Sequence, residues 1–223
     1  MKKNLISCLA AFAALGLAGC ATEGHRSLAV EQPAASTRPY AGPRSPISVG
    51  KFDNRSNFMR GVFSDGVDRL GSQAKTILIT HLQQSNRFTV LDRDNMAEAR
   101  QEAEIRNEAQ QLKGAIYIVT GDVTEFGRRE VSDQQLFGIA GRGKRQVAYA
   151  KVSLNIVDSR STEVVYSVQG AGEYSLSSRE VVGFGTSAGY DSTLNGKVLD
   201  LAIREAVDRL TVALDNGAWK PTP

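Results

Sequence analysis

The chain has 223 residues, of which 23% are charged, and its formal net charge is +3. Without Lys2 and Lys3, 25 basic and 24 acidic side chains remain, and such a balance excludes sequence-independent nucleic-acid binding, which needs a basic excess. About two hundred residues beyond the N-terminal segment are enough for one sizeable hydrophobic core.

The first nineteen residues have the pattern of an export signal. The two lysines precede an apolar run from Ile6 to Leu15, which is too short to span a membrane as a helix. The Leu-Ala-Gly-Cys sequence that ends at Cys20 resembles the lipobox of bacterial lipoproteins. Residues 1–19 are therefore predicted to be removed and Cys20 to be lipidated. Residue 21 is Ala and not Asp, which in Gram-negative lipoproteins implies sorting to the outer membrane.

Residues 20–46 are predicted to be a tether. They are rich in Pro, Ala and Ser and contain hardly any aliphatic side chains, so they cannot bury enough apolar surface to offset the entropy of ordering. His25 and Tyr40 are accordingly expected to be solvated. No proline lies between Pro46 and Pro221, which predicts one continuous domain over residues 47–220.

The domain begins with a strand–loop–helix unit. Residues 47–52 alternate as a strand, and a polar loop follows that carries Phe58 and Phe63. Apolar side chains spaced by three and four residues then predict a helix over residues 67–82, with Ser64 or Asp65 as its cap. His81, near the end of this helix, has the context of a surface or satisfied core histidine.

A short strand over residues 88–91 leads to a second predicted helix over residues 92–112, where the Asp92-x-Asp94 pair would cap the helix and complement its dipole. Strands are predicted over residues 115–123, 147–157 and 164–168. The clearest helix has its apolar stripe from Leu199 to Leu214. Asn216-Gly217 is its stop, and Trp219 is expected to pack back on the core.

Two long stretches interrupt this pattern, at about residues 125–147 and 169–192. Both are much longer than a tight turn between strands needs. The second stretch alternates apolar and polar residues, which is typical of a membrane β-hairpin and also of a soluble edge hairpin. In the first stretch, charged residues fall on both parities. The apolar positions singled out in the two stretches are Leu136, Phe137, Ile139, Tyr174, Leu176, Val182, Phe184 and Tyr190.

No pattern of catalytic residues is recognisable in the sequence. It has two histidines, Cys8 lies in the signal, and neither a nucleophile elbow nor a phosphate-binding loop is present. We therefore expect no enzymatic activity, no metal site and no cofactor.

The order of these features resembles the curli secretion channel lipoproteins, the CsgG/HfaB family, over roughly residues 47–219. The resemblance is carried by Leu91-Asp92-Arg93, Phe137-Gly138-Ile139, the segment from Val152 to Glu163, and Asp215-Asn216-Gly217-Ala218-Trp219. It implies an α/β domain with a mixed sheet and three main helices on the periplasmic side, assembled into a ring. It also implies that the two stretches are extended hairpins that build a shared transmembrane β-barrel.

The family narrows its pore with the loop after the first strand. Phe58 matches one pore residue of the family, Phe63 is the nearest further aromatic, and Asp65-Gly66 stands where the family has an Asn-Phe pair. The resemblance thus implies a constriction loop around Phe58, Phe63 and Asp65.

Two functions follow as expectations. The first is an outer-membrane lipoprotein that self-assembles into a passive export channel or assembly platform, with exported or surface proteins and companion lipoproteins as partners. The alternative is a lipid-anchored binding or regulatory module of the envelope without a pore, whose long stretches are soluble loops.

Overall fold

The computed structural model describes residues 30–58, 68–134, 142–180 and 194–221. Its elements after a short 3₁₀ turn at Ala34–Thr37 are β1 Ser45–Asn54, α1 Arg69–Gln84, β2 Phe88–Leu91, α2 Met96–Ile105, β3 Tyr117–Gln134, β4 Arg142–Asp158, β5 Val164–Glu180 and α3 Leu194–Asp215.

The five strands form one mixed sheet in the order β2-β1-β3-β4-β5. β1 lies between β2 and β3 and is parallel to both, whereas β3, β4 and β5 pair antiparallel in succession. α1 and α3 pack against each other and on the same face of the sheet. The expected mixed sheet with three helices is confirmed.

The core lies between that face of the sheet and the two helices. α3 contributes a fully buried stripe because its apolar residues recur every three or four positions. Each large aliphatic side chain in such a stripe contributes about 1.5–3 kcal/mol to stability. The fully buried members in α3 include Leu199, Ala202, Ile203, Ala206 and Leu210.

Glycines let α3 approach β5 closely. A Cβ on Gly170 would overlap the backbone of Ala202 and Ala206, and one on Gly172 would meet Leu201 and Ala202. Both glycines therefore have a packing role at the helix–sheet contact.

The end of the domain after α3 is closed as the sequence predicts. Gly217 has a φ of 72°, and the amides of Gly217 and Ala218 donate to Leu214 O and Ala213 O, which ends the helix. Trp219 then folds back with 6% exposure. Its ring lies 5.4 Å from Tyr117, edge-on, and within 6.2 Å of the Phe88 and Tyr166 rings.

The second helix is shorter than predicted. α2 ends at Ile105 because Asn107 adopts a φ of 53° and the amides of Asn107 and Glu108 donate to Glu104 O and Ala103 O. No residue of α2 is buried, and Ile105 and Leu112 are 66% and 57% exposed. The helix predicted over residues 92–112 is therefore too long at both ends.

The N-terminal part of the domain departs from the tether prediction. Ala35 is fully buried, and the Arg87 guanidinium carbon lies 4.6 Å from the Tyr40 ring centroid. The expectation that Tyr40 is solvated is therefore wrong. Residues 33–40, which we call the strap, dock on the domain through these two side chains.

Candidate functional site

The three long strands continue together beyond the part of the sheet that contains β1. We call residues 125–134 of β3, 142–151 of β4 and 171–180 of β5 the strand arms. Their register is unbroken, from Glu125–Lys151–Ala171 at one end to Gln134–Arg142–Glu180 at the other. Ten residues per strand give a length of about 33 Å.

A β-bulge marks the base of the arms. The last pair between β1 and β3 is Asn54 with Val123, and the register of β3 against β4 shifts between Val123 and Glu125. Thr124, the extra residue, donates its hydroxyl to Lys151 O at 3.2 Å. A bulge increases local twist and bends the strand that carries it, so it separates the arms from the main sheet.

On the helix side, side chains of α3 hold the first residues of the arms. Arg128 Nε donates to Asn195 Oδ1 at 2.8 Å, and Lys197 Nζ lies 5.1 Å from the centroid of the Tyr174 ring. Tyr174 is half-buried and packs against the core. Tyr174, one of the apolar positions singled out in the second long stretch, thus lies at the base of the arms.

The opposite face carries cross-strand ion pairs. Arg129 Nη2 lies 3.4 Å from Glu173 Oε2, and Lys151 Nζ lies 3.2 Å from Glu125 Oε1. Each of these four side chains is more than two-fifths exposed, so each pair contributes little stability. Tyr149, 39% exposed, leaves no space for a Cβ at Gly127, its cross-strand partner.

The start of the predicted constriction loop is fixed to the arms. The Phe58 ring lies 4.6 Å from that of Phe126, which is 6% exposed. The amides of Arg55 and Ser56 donate to Val123 O at 2.9 and 3.0 Å. Phe58 therefore packs on the first buried residue of the β3 arm.

Asp68 and Asn54 hold the two ends of the loop together. Asp68 accepts from the amide of Gly71 at 2.8 Å, which caps α1, and its second oxygen accepts from the amide of Asn54. Asn54 Nδ2 donates to Phe58 O at 2.8 Å. The cap predicted at Ser64 or Asp65 is therefore wrong, because α1 begins at Arg69 and Asp68 is its N-cap.

Beside the loop, a charged cluster lies where β1 ends. Arg55 contacts Asp122 at 3.0 Å and Asp53 at 3.3 Å, and Lys51 contacts Asp53 at 2.8 Å. The hydrogen bond and the charge of Asp122, with the charge of Asp53, raise the pKa of the Arg55 guanidinium above its ordinary value. The cluster balances its own charge and its two cations are exposed, so solvent screens the network.

Two of the predicted site residues can be located with their side chains, Phe58 and Tyr174, and both lie at the base of the arms. Leu176 lies in the β5 arm and is paired with Gln146 of the β4 arm. Sequence reasoning missed Asp68, Asn54, Phe126 and Asn195. Of these, only Asp68 could have been found from the sequence, because Asp is a preferred N-cap residue and Asp68 stands directly before the helix. The predicted residues outside the described part of the chain are Cys20, Phe63, Asp65, Leu136, Phe137, Ile139, Val182, Phe184 and Tyr190.

His81 is a core histidine as expected, but only one of its ring nitrogens is satisfied, because its buried Nδ1 has no hydrogen-bond partner. It is 2% exposed, and its Nε2 lies 2.8 Å from Asp200 Oδ1, so the pair joins α1 to α3. Among the described residues, no group of three or more His, Cys, Asp and Glu side chains could hold a metal ion.

None of the helices within residues 30–58, 68–134, 142–180 and 194–221 combines the length and hydropathy needed to cross a membrane.

Comparison with known proteins gives matches over nearly the whole chain. Residues 30–222 match the family model described as the curli production assembly/transport component CsgG. A protein of Neisseria meningitidis serogroup B, named as the lipoprotein NMB1126/NMB1164, is 65% identical over 221 residues, which is 99% of each chain.

Two bacterial proteins are among the solved structures to which this chain is similar. The PelC dodecamer from Paraburkholderia phytofirmans is 14% identical, covers 76% of this chain and 91% of its own, and has a TM-score of 0.36. Lipoprotein GNA1162 from Neisseria meningitidis is 17% identical, covers 78% of this chain and 97% of its own, and has a TM-score of 0.35.

Proposed function

The chain belongs to the CsgG family, and on this premise we propose that it is an outer-membrane lipoprotein that assembles with copies of itself into a passive export channel or assembly platform. Cys20 is its lipid anchor, and the main domain lies on the periplasmic side. Secreted or surface proteins are the cargo class, with companion lipoproteins as further partners. The anchor is at residue 20, the tether is the chain that precedes the docked strap, and the folded part runs from the strap through β1 to residue 220.

The observation that carries the proposal is the continuous pairing of the strand arms. Each arm has ten residues in register with its neighbour, and membrane-spanning strands need about 9 to 11. Paired arms satisfy their inner backbone groups, as the interior of a bilayer requires. Copies of the chain pairing through their outer strands would satisfy the remaining backbone groups.

The loop between β1 and α1 supports the same function. Its first residues pack on the arm base through Phe58 and Phe126, and Asp68 joins its ends. The loop therefore starts and finishes at the end of the domain where the arms begin. In a ring, loops attached at that level in every copy would narrow one shared passage.

One observation favours the second candidate, an envelope-binding module without a pore. Successive rows of the arms carry charged residues on both parities, with Lys144 paired to Ser132 and Arg145 to Val131. The described arm residues show the same alternation, since Arg128 contacts Asn195 on the helix side and Arg129 contacts Glu173 on the opposite face, so arms that spanned a bilayer would have no uncharged face for lipid. A lipid-facing Arg or Lys at mid-depth costs about 2–4 kcal/mol.

The test is to image and record the lipidated protein after extraction from outer membranes. We expect rings in electron micrographs and stepwise conductance in planar bilayers. A protein in which residues 127–149 are replaced by a two-residue Asn-Gly turn between the paired residues Phe126 and Ala150 keeps the main sheet and serves as the control without the first pair of arms. A monodisperse monomer without conductance would rule out the channel and leave the binding module.

A further inference from the structure

The strap is held on the domain by the buried side chain of Arg87. Arg87, 2% exposed, donates through Nε and Nη2 to both carboxylate oxygens of Asp215 at 3.1 and 3.0 Å. Its Nη1 donates to Ala35 O and Arg38 O, both at 3.3 Å. A buried guanidinium thus binds two strap carbonyls while a carboxylate neutralises its charge.

Further contacts hold the strap on both sides of Arg87. The amide of Ala34 donates to Asp208 Oδ1 at 2.8 Å, and Arg38 Nη1 lies 3.9 Å from Asp215 Oδ2. The Ala35 methyl is fully buried. Since Asp208 and Asp215 both belong to α3, the strap is fixed to the C-terminal half of that helix.

The strap and the strand arms lie at opposite ends of α3. Asn195, in the first turn, contacts Arg128 at the arm base, whereas Asp208, thirteen residues later, contacts Ala34. At 1.5 Å per residue, the two contacts are about 20 Å apart along the helix. The chain therefore joins the domain well away from the end that the arms extend from.

The length of the tether sets a covalent limit. Thirteen residues, 21 to 33, separate Cys20 from Ala34. Fully extended, these fourteen Cα steps reach at most about 50 Å. That is more than the roughly 20 Å between the strap and the arm base. The comparison holds because the docked strap fixes the point from which the tether starts.

We propose that the docked strap sets the minimum length of the tether. The strap fixes the start of the tether at the end of α3 that is remote from the arms. Lipidated Cys20 and the arms can therefore enter one membrane only if residues 21–33 are long enough to reach from the strap to the arm base. The inference rests on the proposed function, because it takes the arms and the anchor to share a membrane.

The test shortens the tether and then releases the strap. Deletion of residues 22–30 leaves five Cα steps between Cys20 and Ala34, at most about 18 Å, which is less than the 20 Å required. We expect this variant to be lipidated, as checked by intact mass, and to lose the stepwise conductance of the full-length protein.

Release of the strap is expected to restore function. Ala35→Arg puts a bulky cation beside Arg87 at a position without space, so the strap detaches and the chain is free back to Ser45. The shortened protein then has sixteen steps, at most about 58 Å, to cover about 36 Å of sheet from Ser45 to Glu125 at the arm base. Conductance should return in the deletion variant that also carries Ala35→Arg.

Thr37→Arg is the matched control, because Thr37 is exposed on the same turn. It adds the same charge and leaves the strap docked, so the shortened tether should stay inactive. Hydrogen exchange of the strap amides reports docking independently and is expected to rise in Ala35→Arg only. If exchange does not rise, Tyr40→Ala with Asp208→Asn provides a second release.

The outcomes separate the two hypotheses. A full-length protein without conductance overturns the proposed function and this inference with it. Full conductance from the shortened protein overturns the proposed minimum tether length and leaves the proposed function standing. Failure of both released variants to regain conductance, despite raised exchange, also overturns that minimum length, because the attachment point would not be what limits reach.

Discussion

The buried guanidinium of Arg87 shows how one side chain can organise a terminus. It uses five hydrogen bonds and a cation–π contact to join the turn before β2 to α3 and the strap. In the sequence, Arg87 is one of many basic residues in a turn after a helix, and its partner Asp215 lies 128 positions away. Periodicity carries no information on such a pairing, so neither Arg87 nor the docking of Tyr40 could be predicted.

Arg87→Met is expected to destabilise the fold strongly. It leaves a partly buried Asp215 carboxylate without its bidentate partner and frees the strap carbonyls, at a cost of about 3 kcal/mol. Arg38→Met removes the second cation near Asp215, but that contact is 3.9 Å long and half-exposed, so the loss is below about 1 kcal/mol. Chemical denaturation measures both, and equal losses would contradict a special role for Arg87.

Asp158 gives a pH dependence whose sign follows from its hydrogen bonds. The amides of Ser161 and Arg160 donate to its carboxylate at 3.0 and 2.7 Å, and they lower its pKa below the ordinary value of 3.8. A depressed folded pKa means that the stabilisation is present above pH 3.8 and is lost as pH falls through the folded value.

We therefore expect Asp158→Asn to lower the melting temperature at pH 7 and to differ less from the parent protein as pH falls below 3.8. Thermal melts of both proteins across this range measure the gap. A gap that stays constant with pH would show that the carboxylate charge does not hold this turn.

Among the elements, α3 was the most predictable and α2 the least. The α3 stripe has one period, a glycine stop and a buried partner surface, so local pattern and tertiary packing agree. α2 has the composition of a helix, yet Asn107 ends it early and no element covers Met96 or Ile105 within the described residues. Helical composition alone therefore predicted a longer element than the chain forms.

The contact between α3 and β5 yields a prediction for glycine. Gly170→Ala should destabilise the domain by about 1–3 kcal/mol, because the new methyl meets the α3 backbone, which cannot move without shifting the helix. Gly114→Ala has open space around it and should change stability by less than about 0.5 kcal/mol. Urea unfolding of the pair distinguishes close packing from a general effect of alanine.

For the whole molecule, sequence periodicity predicted where the strands lie but not how far they continue. Charged residues at positions 128–130 and 142–145 hid the regularity of β3 and β4, since alternation of polarity is absent there. The register shows one antiparallel ribbon in which charge is tolerated by cross-strand pairing, as in Arg129 with Glu173. The way in which the ends of the β1–α1 loop are joined could not be predicted either. Asp68 accepts from the amide of Gly71 in α1 and also from that of Asn54 in β1, fourteen positions earlier.

If the arms surround a water-filled passage, a charge on them will select ions. Arg129→Glu replaces a cation beside Glu173 with an anion, so the reversal potential in a salt gradient should shift toward cation preference. Lys75→Glu, on α1 beside Asp94, makes the same charge change away from the arms and should leave selectivity unchanged. Identical shifts in both variants would argue against arms that line the passage.

The position of β1 between β2 and β3 has a consequence for how the protein acquires its structure. β1 must wait for β3, whose pairing residues lie about seventy positions later, whereas β3, β4 and β5 pair with their sequence neighbours. Local contacts form faster than distant ones because closing a long loop is entropically costly. Pulse-labelled hydrogen exchange during refolding should therefore find the β3–β5 ribbon protected first and β1 inserted late, as the slow step of folding.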